Sequence, residues 1–155
     1  MKDERDDLDR ATPRLASPGG AWSARARAGV ALLGLRALVA DDDAPFADAV
    51  GDCLTLAGAR VQLALNGLEL VERMLRDGPY DFVVADVCMP WLNGLHAIGR
   101  ARWFGLHVPV LFLSGYTDPE LPAWVASLGA QARLLYKPFE LRTLLLSVEA
   151  LLLGR

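Results

Sequence analysis

The sequence has few residues of the kinds that form transition-metal sites or disulfide frameworks, and it has no excess of positive charge. It contains two cysteines and two histidines in 155 residues, and these have no metal-ligand spacing. Cys53 and Cys88 are therefore expected to be reduced thiols, the usual state in a cytoplasm. The net charge of −3 argues against a broad phosphate-binding surface, so we expect no direct contact with nucleic acid.

Long hydrophobic runs are also missing. The apolar stretch at residues 28–40 is interrupted by Arg36 and is shorter than the about 20 residues that a membrane-spanning helix needs. It also lies too far from Met1, behind too acidic a leader, to be a secretory signal. The composition, 53% hydrophobic and 23% charged, is typical of a globular domain with a full core. We therefore expect a cytoplasmic protein without a membrane segment.

Residues 1–34 differ from the rest of the chain. Residues 1–10 form a run of mixed charge, and the prolines, glycines and serines of residues 13–20 interrupt any periodic pattern. This composition predicts a flexible N-terminal extension. A single domain is expected over residues 35–155, and no further domain is expected after it.

From residue 35 onward, short apolar runs alternate with longer segments of helical periodicity. The alternation predicts five βα units and a parallel sheet with helices on both faces. The strands are expected near residues 36–41, 60–64, 81–86, 108–113 and 132–136, and the helices near residues 45–57, 67–76, 94–102, 119–127 and 140–152. Four glycines stand where C-terminal caps of the first four helices are expected, namely Gly58, Gly78, Gly105 and Gly129.

Polar residues follow or end four of the five predicted strands. They are Asp41, Asp42 and Asp43 after the first strand, Asp86 at the third, Ser114 at the fourth and Lys137 at the fifth. Taken alone, each has an ordinary interpretation; the three acids before Pro45, for example, are typical of a helix start. Parallel strands present ligands beyond their carboxyl ends, so the joint placement predicts one shared site.

The residue types at this site indicate a chemistry. Neighbouring carboxylates repel one another unless a cation relieves them, and Mg²⁺ suits them because it takes about six hard oxygen ligands, several of them water. The charge of Lys137 and the hydroxyl of Ser114 could align a phosphoryl group beside the metal. Asp86 is the nucleophile that this arrangement predicts.

Four motifs, in this order, resemble the receiver domains of bacterial two-component response regulators. They are Leu38-Val39-Ala40-Asp41-Asp42-Asp43, Asp86 with Met89-Pro90 and Gly94, Ser114-Gly115, and Lys137-Pro138-Phe139. The resemblance runs from about Leu35 to Leu153. It implies a flavodoxin-like, doubly wound (βα)5 fold with strand order 2-1-3-4-5.

The resemblance also implies a role for each site residue. Asp86 would accept phosphate from a histidine kinase or a histidine phosphotransfer protein, Ser114 would bond a phosphoryl oxygen, and Lys137 would pair with it. Mg²⁺ would be held by Asp42, Asp86, the backbone carbonyl of Cys88 and, through water, Asp41. In the family, the peptide bond between Lys137 and Pro138 is often cis.

As a receiver, the chain is expected to signal by docking on a downstream protein, without an output domain, and the fourth and fifth helices are candidates for a homodimer. Leu134 stands three residues before Lys137, where many receivers carry an aromatic residue that moves on phosphorylation. Residues 112–118 and 137–139 are most similar to receivers attached to, or partnered with, hybrid sensor kinases. Tyr116 is expected to shield the acyl phosphate from water.

Two other functions stay open from the sequence. One is a pseudoreceiver, a docking module that is not phosphorylated. The other is a phosphatase of the haloacid dehalogenase type with Asp41 as nucleophile, for which only Glu140 and Glu149 could supply the acidic pair required after the lysine. Trp91, Trp103 and Trp124 are expected to be partly buried packing residues.

Overall fold

The computed structural model describes residues 32–154, and its elements alternate between strand and helix along the chain. They are β1 Arg36–Ala40, α1 Ala44–Leu56, β2 Arg60–Ala64, α2 Gly67–Arg76, β3 Phe82–Asp86, α3 Gly94–Trp103, β4 Val110–Ser114, α4 Leu121–Ser127, β5 Ala132–Tyr136 and α5 Leu141–Leu152. The five predicted βα units are confirmed, with ends that differ from the predicted ones by at most two residues.

All five strands are parallel and lie in the order β2-β1-β3-β4-β5, as the resemblance implies. The winding direction therefore reverses between β1 and β3, where Ala40 is paired with Ala85. A crevice at the carboxyl ends of the strands is expected at such a reversal. Asp41 directly follows β1 and Asp86 is the last residue of β3, the two strands that flank the crevice.

Each face of the sheet packs against its own layer of helices. One face carries α1 and α5 on strand residues such as Val39 and Val84, and the other carries α2, α3 and α4 on residues such as Leu38 and Val83. Strands β3 and β4 are buried along their whole length, because both of their faces are covered. The fold is the predicted doubly wound α/β fold.

Helix ends follow the sequence signals in most places. Asp43 caps α1 by accepting the backbone N–H of Phe46 at 3.2 Å, and Gly58, Gly105 and Gly129 have the left-handed conformation expected after a helix. The prediction is wrong for Gly78, which does not have positive φ. Gly78 precedes Pro79, and a following proline favours extended backbone.

The predicted extension falls almost entirely on residues 1–31, which lie outside the described residues. The boundary between extension and domain therefore stays a prediction. Leu32 is 1% exposed and belongs to the core between the sheet and helices α1 and α5. Within residues 32–154, no helix has both the length and the apolar composition needed to cross a bilayer.

The tryptophans of the described region are more exposed than the sequence predicts. Trp91 is 82% exposed, in a tight turn where its φ of 67° accompanies a hydrogen bond from the Leu92 N–H to the Pro90 carbonyl. Trp103 is 79% exposed, because it lies on the outer face of α3, two positions after the buried Ala101. Trp124 is 50% exposed. The prediction of partly buried side chains is therefore wrong for Trp91 and Trp103, whereas Trp124 is half-buried.

Candidate functional site

The carboxyl ends of β1, β3 and β5 bring acidic and basic side chains together. Asp41 follows β1, Asp86 ends β3, and Lys137 follows β5. The Nζ atom of Lys137 lies 2.9 Å from Oδ2 of Asp41 and 3.1 Å from Oδ1 of Asp86. These three residues therefore meet as the sequence predicts, although Asp41 and Lys137 are 96 positions apart.

Asp42 completes a group of three carboxylates. Oxygen atoms of Asp41, Asp42 and Asp86 all lie within 4.8 Å of one another. Asp41 and Asp86 are buried, and Asp42 is exposed at the entrance. The backbone N–H of Asp43 donates to Oδ1 of Asp41 at 2.9 Å, which fixes the orientation of that carboxylate.

The electrostatic balance of this group is negative. Burial raises the pKa of Asp86 to about 6, and the nearby charge of Asp41 acts in the same direction. Lys137 opposes the shift in pKa without cancelling it, and Asp86 is only 6% exposed. A further cation close to Asp86 would therefore stabilise the ionised cluster.

Lys137 remains a cation at neutral pH. Burial lowers the pKa of Lys137, but its hydrogen bond to Asp41 and the charge of Asp86 outweigh burial, so its pKa is raised above the ordinary value. The ring of Phe46 lies beside the ammonium group, with its centroid 4.1 Å from Nζ. The peptide bond between Lys137 and Pro138 is cis, as the resemblance implies.

The donor atoms present fit Mg²⁺. The carboxylates offer hard oxygens. In the loop after β3, the backbone carbonyl of Cys88 accepts no backbone N–H of the described residues. The neighbouring carbonyl of Val87, by contrast, accepts a hydrogen bond from the N–H of Gly94 at 3.0 Å. Mg²⁺ accepts one or two carboxylates and fills its other positions with carbonyl, water or phosphate oxygens. The Sγ of Cys88 is a free thiol.

Ser114 ends β4 on the other side of Asp86, but its hydroxyl points into its own turn. The Oγ atom donates to the Tyr116 carbonyl at 2.9 Å and accepts the Tyr116 N–H at 3.1 Å. Ser114 and Tyr116 line a cavity of about 670 Å³ together with Cys88 and Trp124. Ser114 is thus placed beside the site, with its hydroxyl engaged in the turn chemistry that serine before glycine favours.

The acidic residues needed by the hydrolase alternative lie elsewhere. Glu140 precedes α5 as its N-terminal flanking residue, and Glu149 lies within α5. Within residues 32–154, the acidic group contains Asp41, Asp42 and Asp86 alone. Asp86 is therefore part of the acidic group, whereas the hydrolase hypothesis assigns no role to Asp86.

Sequence reasoning missed two features near the site. The first is Phe46. The sequence indicates its closeness to the site only by its position, one helical turn after the acidic run and in the first turn of α1. The second is a groove of about 870 Å³ between α3 and α4, flanked by Trp103 and Trp124. No periodic pattern in the sequence pointed to this groove.

Comparison with known proteins gives consistent matches. A family model described as the response regulator receiver domain matches residues 37–149. The chain is 38% identical over 119 residues to response regulator MprA of Mycobacterium leprae, covering 76% of the chain and 51% of that protein. It is 36% identical over 121 residues to response regulator MprA of Mycobacterium tuberculosis, covering 77% and 51%. The chain thus spans about half the length of the curated relatives it matches.

Solved structures agree with this result. The receiver domain of the Francisella response regulator 1452 matches with a TM-score of 0.69 and 28% identity, over 77% of this chain and 97% of that one. Chemotaxis response regulator CheY4 of Vibrio cholerae matches with a TM-score of 0.69 and 27% identity, over 76% and 98%.

Proposed function

This chain belongs to the response regulator receiver domain family, and we propose that it is a phosphoaccepting switch of a two-component phosphorelay. Asp86 would take the phosphoryl group from a histidine kinase or a histidine phosphotransfer protein. The observation that carries the proposal is the position of the Lys137 Nζ, 2.9 Å from Asp41 and 3.1 Å from Asp86. A fixed cation beside a buried carboxylate supports the proposal, because it can neutralise the charge of a phosphoryl group transferred to that carboxylate.

The proposed step forms a bond between an Asp86 carboxylate oxygen and phosphorus and breaks the bond between phosphorus and the donor histidine nitrogen. The electron pair of the broken bond returns to the imidazole, which takes up a proton. With a pKa of about 6, Asp86 is mainly ionised at neutral pH and has the lone pair that the attack needs. Lys137 would pair with a phosphoryl oxygen.

Asp42, Asp86 and the Cys88 carbonyl would hold Mg²⁺, and Asp41 would hold one of its water ligands. The ion supplies positive charge that neutralises and orients the phosphoryl group. Asp41 and Lys137 would keep each other in place through their hydrogen bond of 2.9 Å. In this proposal the chemistry of the chain is limited to its own phosphorylation and dephosphorylation.

The switch would act through the loop after β4. To bond a phosphoryl oxygen, the Ser114 hydroxyl has to leave the Tyr116 backbone, which would rearrange the loop that leads into α4. The neighbouring cavity of about 670 Å³ provides room for this movement. Leu134 packs against the core cluster that contains α4 residues. We propose that its side chain moves when the loop rearranges, as the aromatic switch residue does in many receivers. A phosphoryl group adds roughly two negative charges, enough to bias such a loop.

Docking would carry the signal onward in the cytoplasm. Apolar side chains are exposed on α4 and α5, including Trp124, Leu141 and Leu146, and these suit either a downstream protein or a homodimer through the two helices. The likeness to receivers of hybrid sensor kinases stays a prediction. We also propose that residues 1–34 form an extension to a receiver domain over residues 35–155, with Leu32 at the end of the extension packed into the domain core.

The test is incubation of the protein with acetyl phosphate and Mg²⁺, followed by intact-mass measurement. We expect a single phosphoryl adduct that is absent from the Asp86→Ala variant. A wild-type protein that takes up no phosphate would favour the pseudoreceiver. Turnover of a small phosphomonoester that is lost in Asp41→Asn and kept in Asp86→Asn would favour the phosphatase.

A further inference from the structure

We propose that Phe46 is a positioning residue that holds the Lys137 ammonium in the site by a cation–π interaction. The inference rests on the proposed function, because it concerns the lysine that would pair with the phosphoryl group. Phe46 itself would touch neither the metal nor the phosphoryl group. Its effect would reach the reaction through Lys137.

The geometry is that of a close cation–π contact. The Nζ atom of Lys137 lies 4.1 Å from the centroid of the Phe46 ring, well inside the about 6 Å limit for this interaction. The Lys137 side chain is 24% exposed, so little water screens the contact. Aromatic rings have a negative face, which attracts an ammonium group without adding a net charge.

Phe46 is itself fixed from two directions. Its backbone N–H donates to the side chain of Asp43 at the start of α1. Its ring meets the ring of Phe139 edge to face, with centroids 6.1 Å apart and planes at 73°. Phe139 follows Lys137 by two residues, so the pair of rings joins the helix that begins beside Asp42 to the loop that carries Lys137.

The contact with Phe46 can hold the Lys137 ammonium in place without using one of its N–H donors for a hydrogen bond. Lysine has a long flexible stem and three N–H donors. Lys137 hydrogen-bonds Asp41 and forms an ion pair with Asp86. Phe46 stabilises the charge without providing a hydrogen-bond acceptor, so it leaves an N–H donor of Lys137 available for a phosphoryl oxygen. A leucine at residue 46 would fill similar space and keep water out, but it would not attract the cation.

The decisive experiment replaces Phe46 with phenylalanines that carry one, two or three ring fluorines, since each fluorine weakens the negative face with little change in shape. We expect the rate of phosphorylation by acetyl phosphate, at saturating Mg²⁺, to fall stepwise along the series. Phe46→Leu is expected to be slower by about fivefold, a typical loss for a partly buried cation–π pair. Phe46→Tyr, which keeps the ring face, is expected to retain most of the rate.

Two controls separate positioning from general damage. Phe104→Leu removes an exposed aromatic side chain just beyond α3 and should leave the rate unchanged. Melting temperatures along the fluorine series should stay level, because the packing volume hardly changes. Equal rates for the wild type, the trifluoro variant and Phe46→Leu would overturn the proposal, as would a loss of rate that follows the melting temperature alone.

A second readout does not need the reaction. In NMR spectra, the methylene protons next to the Lys137 Nζ should be shifted upfield by the ring current of Phe46, and Phe46→Leu should abolish that shift. Absence of the shift in the wild type would overturn the contact. A wild type that shows the shift but accepts no phosphate would refute the proposed function and, with it, the positioning role, while keeping the contact.

Discussion

Gly94 approaches the backbone of Asp86 so closely that a Cβ atom at residue 94 would lie 2.1 Å from the Asp86 carbonyl oxygen. The start of α3 is therefore pressed against the strand that ends in the proposed phosphoacceptor. A side chain at residue 94 would have to push the loop between them away. The glycine thus helps to set the position of the Cys88 carbonyl, which lies in that loop.

Gly94→Ala is expected to destabilise the protein by about 1–3 kcal/mol, because the clash is with backbone and cannot be relieved by a side-chain rotation. The matched control is Gly99→Ala in the interior of the same helix, where nothing lies within 4 Å of an added Cβ. That change should stabilise the protein by about 0.5–1 kcal/mol, since glycine is a poor helix former. Urea denaturation measures both changes. Equal stability of the two variants would contradict the assignment of a tight approach at residue 94.

The raised pKa of Asp86 predicts how stability depends on pH in the absence of metal. Burial and the charge of Asp41 raise it to about 6 in the folded protein, above the about 3.9 of an unfolded aspartate. The folded state then binds the proton more tightly, so the contribution of Asp86 to stability is fully present below about pH 4 and is lost as the pH rises through about 6.

Asp86→Asn should therefore be more stable than the wild type at neutral pH in EDTA, and this advantage should disappear towards about pH 4. Denaturation curves at several pH values measure it. Asp48→Asn, at an exposed position on α1, should show no such dependence. If Asp86→Asn is less stable than the wild type at neutral pH, the attraction between Lys137 and Asp86 outweighs the cost of burying the ionised carboxylate, which would contradict the raised pKa.

Magnesium should relieve the electrostatic repulsion among the three carboxylates and so stabilise the folded protein. We expect millimolar Mg²⁺ to raise the melting temperature of the wild type, because the proposed site, the cluster of Asp41, Asp42 and Asp86, exists only in the folded protein. Asp42→Asn should weaken Mg²⁺ affinity by at least about tenfold. Its neighbour Asp43 offers a matched control, since Asp43→Asn keeps the helix cap and lies outside the cluster. A similar loss in both variants would argue against Asp42 as a ligand.

Much of this architecture could be read from the sequence, because the deciding signals are local. The buried strands are short apolar runs, and Asp41, Asp86 and Lys137 come at or directly after their ends, so the fold rule for parallel sheets brings them together. The contact between Phe46 and Lys137 could not be predicted in this way, since it depends on how α1 is oriented against the loop after β5.

Exposure was also hard to predict. Tryptophans are usually partly buried, but Trp91 lies in a turn with a positive φ and its side chain is exposed. No pattern in the sequence predicts this conformation. Gly78 looked like the other helix-ending glycines, and only its proline neighbour set it apart. In both places the outcome depended on a competing local constraint.

The life of the phosphorylated state should depend on Tyr116. Its side chain is exposed and lines the cavity that Ser114 and Cys88 also line. We expect it to limit the access of water to an acyl phosphate on Asp86. Tyr116→Ala should speed dephosphorylation severalfold, while Tyr116→Phe, which keeps the ring, should change it little. The decay of the phosphorylated protein can be followed by mass spectrometry after rapid desalting. An unchanged rate in Tyr116→Ala would end the shielding hypothesis.

The central claim is that Asp86, and no other carboxylate of the cluster, accepts the phosphoryl group. An acyl phosphate is reduced by borohydride, which converts the modified aspartate to homoserine. The direct test is therefore to phosphorylate the protein with acetyl phosphate and Mg²⁺, reduce it, and locate homoserine by peptide sequencing. The account predicts homoserine at residue 86 alone. Homoserine at residue 41 or 42, or at none of the three, would contradict it.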